Sequence, residues 1–542
     1  MNADVNADKD PGAPTAGHMA ALSDRQRNAA TSGVMAAVFL AAVGQTGLAT
    51  AMPAVVADLG GFDRYAWAMT AYLVASTVVT PITGRLADIY GRRLFFVAGL
   101  AVLIIGSAPI SLVTNMTQLA AWRVVQGVGG GMVMVNGVAA IADLFAPERR
   151  ARAQGVLGAV VFLAAVVGPL VAGYLADNAS WRWIFLLNVP AGLLVLVFIA
   201  RTFPAARPAA ADRGLDYAGM LALALAVAPL MIALSWSGER QAWNSPLASG
   251  IFGFGLLMAV AFVLIESKAD SPVMPLHIYR SRVMSAAVVL TVLHSFCLYG
   301  TVLFTPLFFQ SAQDVSATGS GGMLAALGGG VVLGAIGSGQ LLSRLGNNYR
   351  LVGMLGGCVM SGGIGFLSSM SAGTSPAGAA AYLVAVGAGI GSLHTVVTVA
   401  VQNTVPFAVV GVATSALQFF RLVSSATGLA LLGAVLATRF AARLAAGLSD
   451  EVRAVLAPGQ LEALQSNPRV LDDPATADAL RASLAEAGQA GAQAADALIA
   501  GLNAAIAGAV GDAFALSAAV TAISVVAALF LGTSRDHSTG AS

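Results

Sequence analysis

Fourteen stretches of this chain are each long and apolar enough to cross a lipid bilayer, whose hydrocarbon core of about 30 Å needs roughly 20 apolar residues per helix. They run approximately over 32–55, 65–83, 94–113, 117–141, 153–176, 183–202, 217–236, 247–265, 284–309, 318–342, 351–370, 377–401, 411–437 and 512–532. In lipid a backbone must satisfy its own hydrogen bonds, and these runs are too long for barrel strands, so an all-α integral membrane fold is predicted. Composition agrees: 57% of the 542 residues are hydrophobic, 10% are charged, and mean hydropathy is +0.80.

Charge placement predicts orientation. With the N terminus inside, 18 Lys and Arg residues fall in inner segments. The short outer loops then hold only Arg64, Arg182 and Arg240. This bias predicts cytoplasmic termini. Five further arginines occupy the outer segment 438–510, which is too long for the rule to govern. Trp181 and Trp183 are expected in an outer interfacial belt. Residues 1–31 carry no short apolar core with a cleavage site, so a removable signal peptide is not expected.

The run GRLADIYGRR at 84–93 places four charges between two apolar spans, and GQLLSRLGNNYR at 339–350 is a weaker echo. Gly84 and Gly339 are offset by 255; Gly155 in GVLGAVVF and Gly411 in GVATSALQ are offset by 256. Two landmarks at nearly one offset predict repeated halves, the usual build of a secondary transporter with its site near the midplane. Chance similarity between Gly-rich helices is the alternative. The expected division is a tail at 1–31, a six-helix bundle at 32–202, a linker with two extra transmembrane helices at 203–283, a second six-helix bundle at 284–532 including 438–510, and a tail at 533–542.

Several classes of chemistry are disfavoured. A net charge of +2 gives no basic field for nucleic acid. Neither lysine, Lys9 or Lys268, lies in a Gly-Lys-Ser/Thr phosphate cradle, so ATP is not expected as the energy source. An intramembrane enzyme using His294 and His394 would need a nucleophile or a paired ligand spacing such as His-Glu-x-x-His, and the sequence shows none. A binding-only sensor is the other reading of that class. Cys297 and Cys358 lie in apolar runs and imply no disulfide framework, and no metal or cofactor is expected.

GRLADIYGRR resembles the loop signature of the major facilitator superfamily. WRVVQGVGGG at 122–131, VVGPLVAGYLAD at 166–177, WRWIFLLNVPAG at 181–192 and QNTVP with GVATSALQFFR at 402–421 extend the likeness. With fourteen spans, the chain is similar to the fourteen-helix drug:proton antiporters over residues 32–437 and 512–532. The resemblance implies a bacterial cytoplasmic-membrane exporter of amphipathic, lipophilic or cationic drug-like compounds, moved by alternating access. Its partners would be the small-molecule substrate, protons and membrane lipid, and a monomer is expected. An uncoupled facilitator or a lipid or metabolite exporter is the alternative.

The resemblance also implies roles. Gly84, Arg85, Asp88, Gly91, Arg92 and Arg93 would latch the halves at a cytoplasmic gate, with Glu148, Arg149 and Arg150 as a related cluster; both sets also serve as orientation signals. Physically, Asp88 can accept hydrogen bonds from Arg92 or Arg93 and from the backbone at a neighbouring helix start. Gly168 and Pro169 permit a bend and Gly173 close helix approach. The Gly-Pro stretch accompanies exporters in the family, although Ala172 stands where a glycine is common. Arg123, costly at membrane depth, is expected to face the interior with Gln45, Thr46 and Gln126 as partners, or else to snorkel to the outer interface.

The family's first span commonly reads Leu-Asp-Gln-Thr, its acid serving proton coupling; here AAVGQTGLATAMP has Gly44 in that place. His294 and His394 are the titratable groups left near mid-depth. They and Asp88 are the coupling candidates, the other reading being that each histidine is a packing residue. Phe304, Phe308, Phe309 and Met132 are expected to line a cavity or to pack against lipid and helices. Segment 438–510 is expected to form an outer helical cap or hairpin, with a helix after Asp473-Pro474, or else a solvated linker.

Overall fold

The computed structural model describes residues 23–60, 65–204, 214–236, 245–313, 315, 317–371, 373–406, 409–449, 452–453, 461, 464 and 489–532. Among the described residues there are helices and no strands. The first half comprises α1 (Asp24–Thr46), α2 (Leu48–Leu59), α3 (Tyr65–Tyr90), α4 (Arg92–Ile110), α5 (Met116–Leu144), α6 (Pro147–Asn178), α7 (Trp183–Leu186) and α8 (Asn188–Thr202). Then come the inserted α9 (Tyr217–Trp236) and α10 (Pro246–Glu266). The second half comprises α11 (Arg282–Gln313), α12 (Ala317–Arg344), α13 (Tyr349–Ser368), α14 (Pro376–Thr404), α15 (Val410–Gly447) and α16 (Gln489–Ala528).

The helix starts follow from local chemistry. Ser23 and Gln26 form a reciprocal capping box that begins α1 eight residues before its apolar run. Asn115, Asn348 and Ser375 each accept a first-turn amide, opening α5, α13 and α14. Pro147, Pro246 and Pro376 stand in first turns, where a missing N–H costs nothing. Among the described residues, thirteen helices are long and apolar enough to span a bilayer. The fourteenth predicted span is present as α3, whose apolar character is diluted by Ser76, Thr77, Thr80, Pro81 and Thr83. The first and sixth spans are each built from two pieces, α1 with α2 and α7 with α8.

The halves meet along two seams, α3 against α15 and α6 against α12. Both are faced with glycine at the landmarks the offsets picked out. A Cβ on Gly84 would overlap Ser415, and one on Gly155 would overlap the Ala335 carbonyl. A Cβ on Gly339 would stand 2.5 Å from the Ala151 carbonyl oxygen. Gly91 and Gly346, again 255 apart, turn the two elbows with φ of 96° and 61°, a region that side chains avoid. The inserted pair docks through α9 onto α3 and α15, beside one seam.

At the end remote from the elbows, α15 and α16 continue past the expected span limits of 437 and 512. At 1.5 Å per residue their 38 and 40 residues reach about 57 and 60 Å, roughly twice the hydrocarbon core. The extensions pack on each other through buried Phe440, Leu444 and Leu448 against Leu498, Leu502 and Ile506. Arg443 forks onto Asp512, with Nε–Oδ2 at 2.9 Å and Nη2–Oδ1 at 2.8 Å. The expected hairpin therefore has two helical arms; the helix expected after Asp473-Pro474 lies outside the described residues. Trp181 departs from the interfacial reading: it is buried, and its indole N–H donates to Asp58. That indole and Arg182 hold the Asp58 carboxyl below the usual carboxylate range, so this tether remains ionised at neutral pH.

Gly339→Leu should wedge the α6–α12 seam, while Gly362→Leu, facing open space, should not. With spin labels at the exposed Arg149 and Arg344 positions, the short-distance population is expected to fall by about half or more in the first variant and to stay unchanged in the second.

Candidate functional site: an elbow latch and two buried polar clusters

The elbow end is closed by polar contacts between the halves. Arg92 Nη2 lies 2.8 Å from Asp88 Oδ1, and its Nε lies 2.5 Å from Asp143 Oδ2. All three side chains are at least nine-tenths buried. The other Asp88 oxygen accepts the backbone N–H of Val412 at 2.8 Å. A carboxylate of the first half thus sits at the start of α15 in the second, where the helix dipole and unpaired amides favour an anion. Gly411 makes room, since a Cβ there would overlap the Asp88 carboxyl. Each charge-assisted bond is worth about 1.5–3 kcal/mol.

A second crossing lies on α6. Arg150 donates through Nη1 to the Gln402 carbonyl at 2.7 Å and to Asn403 Oδ1 at 3.0 Å. Its Nη2 and Nε hold the Ala142 and Phe145 carbonyls at 2.9 and 3.1 Å. Gln154 and Gln402 both donate to the Val138 carbonyl, and Gln154 Nε2 also reaches Gln402 Oε1 at 3.1 Å. Of the expected second cluster only Arg150 is drawn in; Glu148 and Arg149 are exposed. In the first elbow, Arg93 bonds the Ala200 carbonyl within its own half, and buried Arg85 lies within electrostatic reach of Asp88 and Glu266.

In the first half, Arg123 is 1% exposed, so it faces inward and does not snorkel. Its Nη1 donates to the Gly44 carbonyl at 2.9 Å and to Gln126 Oε1 at 2.7 Å, and its guanidinium lies 4.5 Å from the Tyr72 ring centroid. Gln126 passes the chain on to Ser107 Oγ at 2.8 Å. The Gln45 and Thr46 side chains, expected as partners, do not bond Arg123; Thr46 caps back onto the Ala42 carbonyl instead. The cluster can form because Gly127, Gly129 and Gly131 let α5 lie against the backbones of α3 and α4, and Gly130 leaves room for the Tyr72 ring. Similarly, Gly168 of α6 abuts Thr46 and Gly173 abuts Thr50, which places the Gly168-Pro169 stretch against α1 and α2.

In the second half, His294 and His394 meet edge to face with ring centroids 6.1 Å apart. His294 Nδ1 lies 2.8 Å from the Leu290 carbonyl, while its buried Nε2 has no partner. Arg421, bonded to Gln418 Oε1 at 2.7 Å, lies within electrostatic reach of both rings. The structure therefore brings together two histidines predicted 100 residues apart. Phe304, Phe308 and Phe309, considered as cavity lining, are buried in the packed interior.

Two features escaped the sequence. Asn188 is 5% exposed with Nδ2 unpartnered, beside the Arg123 cluster. The only signal for it is an amide inside an apolar run. At the elbow end Glu266 accepts the Val273 and Met274 amides at 3.0 and 3.3 Å. It shares the space over Gly219 with Asp216, tying the inserted pair to the same face as Arg85.

Two helical bundles joined by glycine-faced seams, with polar groups buried between spans, define a multi-pass membrane transporter. The family model described as Major Facilitator Superfamily matches residues 34–429, and the chain belongs to that superfamily. It is 34% identical over 415 residues to the multidrug transporter protein MdtP of Bacillus subtilis, covering 76% of each chain. It is 36% identical over 292 residues to multidrug resistance protein 3 of the same organism, covering 54% of this chain and 57% of that one. Among solved structures, the human organic anion transporter MFSD10 aligns with a TM-score of 0.56 at 15% identity, over 76% of this chain and 93% of that one. The proton:xylose symporter XylE aligns with a TM-score of 0.54 at 12% identity, over 92% and 95%. These two likenesses concern the fold.

Asp88→Asn removes the charge shared with Arg92 and weakens the hold on α15. In a Cys297→Ser, Cys358→Ser background, a thiol introduced as Ser415→Cys is expected to react with a membrane-impermeant maleimide about tenfold faster when Asp88→Asn is added. Arg149→Ala should leave the rate within about twofold.

Proposed function

We propose that the chain is a secondary active exporter of amphipathic or lipophilic drug-like compounds from the bacterial cytoplasm, working by rocking of its two halves. The observation that carries this reading is the polar, glycine-faced closure of the elbow end. Hydrogen bonds such as Asp88 to Val412 and Arg150 to Gln402 can be exchanged for water when the seam opens, which a fully apolar seam would resist. The excess of basic residues on the elbow side supports a cytoplasmic elbow face, so this conformation is closed toward the cytoplasm. The expected division at 32–202, 203–283 and 284–532 supplies the two rocking bodies and the inserted pair. Relatives named as multidrug transporters support drug-like cargo.

For the driving force we assign inward proton flow, with the paired His294 and His394 as the proton-carrying groups. Asp88 contributes by opening and closing the latch.

Reconstituted protein is expected to move a lipophilic dye panel at least about tenfold faster when a proton gradient opposes the dye flow than without one. Transport indifferent to the gradient would identify an uncoupled facilitator. His294→Ala and His394→Ala are each expected to abolish the gradient response, and a response retained in both would remove the pair from coupling.

A further inference from the structure

The buried guanidinium of Arg123 has no carboxylate within ion-pair distance among the described residues. Its hydrogen-bond acceptors are all neutral: the Gly44 carbonyl, Gln126 Oε1 and, at 3.4 Å, the Ala68 carbonyl. A buried cation without an anion is costly, and membrane proteins retain one where it meets a charged partner during function.

Beside it lies a small space with donors on its walls. Gly44 has no side chain to fill it, and a Cβ there would stand 3.7 Å from both Asn188 Nδ2 and Gln126 Nε2, ordinary van der Waals contact distances. Asn188 is 95% buried by its 5% exposure, and its Nδ2 has no hydrogen-bond partner. Arg123 only donates, so Gln126 must turn Oε1 toward it, which fixes Nε2 on the other side. One hydrogen of that Nε2 goes to Ser107 Oγ, and the second remains for a ligand. A positive charge and two amide donors therefore converge where no protein acceptor arrives.

We propose that the space beside Gly44 is an anion subsite, lined by Arg123, Gln126 and Asn188, and that the cargo is an amphiphile whose carboxylate occupies it. The cargo assignment rests on the exporter reading; the subsite itself does not. A carboxylate offers up to four acceptor positions, enough for the guanidinium and both amides. The same chemistry gives a cationic amphiphile no counter-ion here.

The test uses equilibrium binding of pyrenebutyrate and its uncharged methyl ester to the purified full-length protein. The wild type is expected to bind the carboxylate about tenfold more tightly than the ester. Gly44→Asp supplies a carboxylate from the chain itself and should erase that preference. Asn188→Leu should lower the acid-to-ester affinity ratio by about fivefold. Equal affinities for acid and ester in the wild type, a comparison needing no variant, would overturn the subsite, as would a preference that survives Gly44→Asp in protein that still binds the ester. Vesicle transport separates the two claims. Movement of both probes without preferential binding removes the subsite alone, whereas preferential binding with no movement of either probe removes the cargo assignment and the exporter reading.

Discussion

One carboxylate reaching across a seam organises the elbow end. Asp88 has to present an oxygen to the start of α15 while remaining paired with Arg92, and every neighbour serves that requirement. Gly411 removes the side chain that would block it, and Gly91 turns the backbone at positive φ so that Arg92 folds back over α3. Asp143 holds the far edge of the same guanidinium. A buried charge this well surrounded is stable only while all its partners are in place, so the contact is lost as a unit. That cooperativity suits a gate with two discrete states.

The two elbows share a skeleton and differ in charge. Gly84 and Gly339 press against the opposing half, and Gly91 and Gly346 make the turns. Where the first elbow has Arg85, Asp88 and Arg92, the second has Gln340, Ser343 and Asn347 at the same offset. Ser343 bonds only within its own helix. The α6–α12 seam relies instead on backbone approach, with Arg150 and Gln154 reaching α14 beside it. One side of the molecule thus joins the halves through a carboxylate on a helix start, and the other through close glycine-to-backbone packing with Arg150 and Gln154 beside it.

Much of this was legible because long-range membrane constraints are written in local composition. Span length predicted the helices and the glycine offsets predicted repeated halves, and Asp88 with its helix-start partner followed from the chemistry of a carboxylate at a turn. The failures have a common physical origin in depth and facing. Glu148 and Arg149 are charged, as their neighbour Arg150 is, but helical phase turns only Arg150 inward. Gln45 and Thr46 lie one and two residues from the carbonyl that Arg123 uses, and no side-chain pattern announces a backbone acceptor. Trp181 looked interfacial because an indole tolerates that layer, yet it is buried in an apolar cluster with Ile110, Val113 and Phe185 while its N–H reaches Asp58. The arms beyond 437 and before 512 were missed as continuous helices because their apolar stripe is one seam wide, too narrow to register in a window that averages all faces.

Those arms have a mechanical consequence. Both belong to the second half, they are locked together by an apolar seam and by Arg443 on Asp512, and they run about 15 Å and about 35 Å past the expected span limits. A stiff projection amplifies rotation: a tilt of about 10° in the bundle sweeps its tip sideways by roughly 5 Å. Small adjustments among buried helices thereby become a displacement in water, large enough to be sensed by whatever stands beside the mouth.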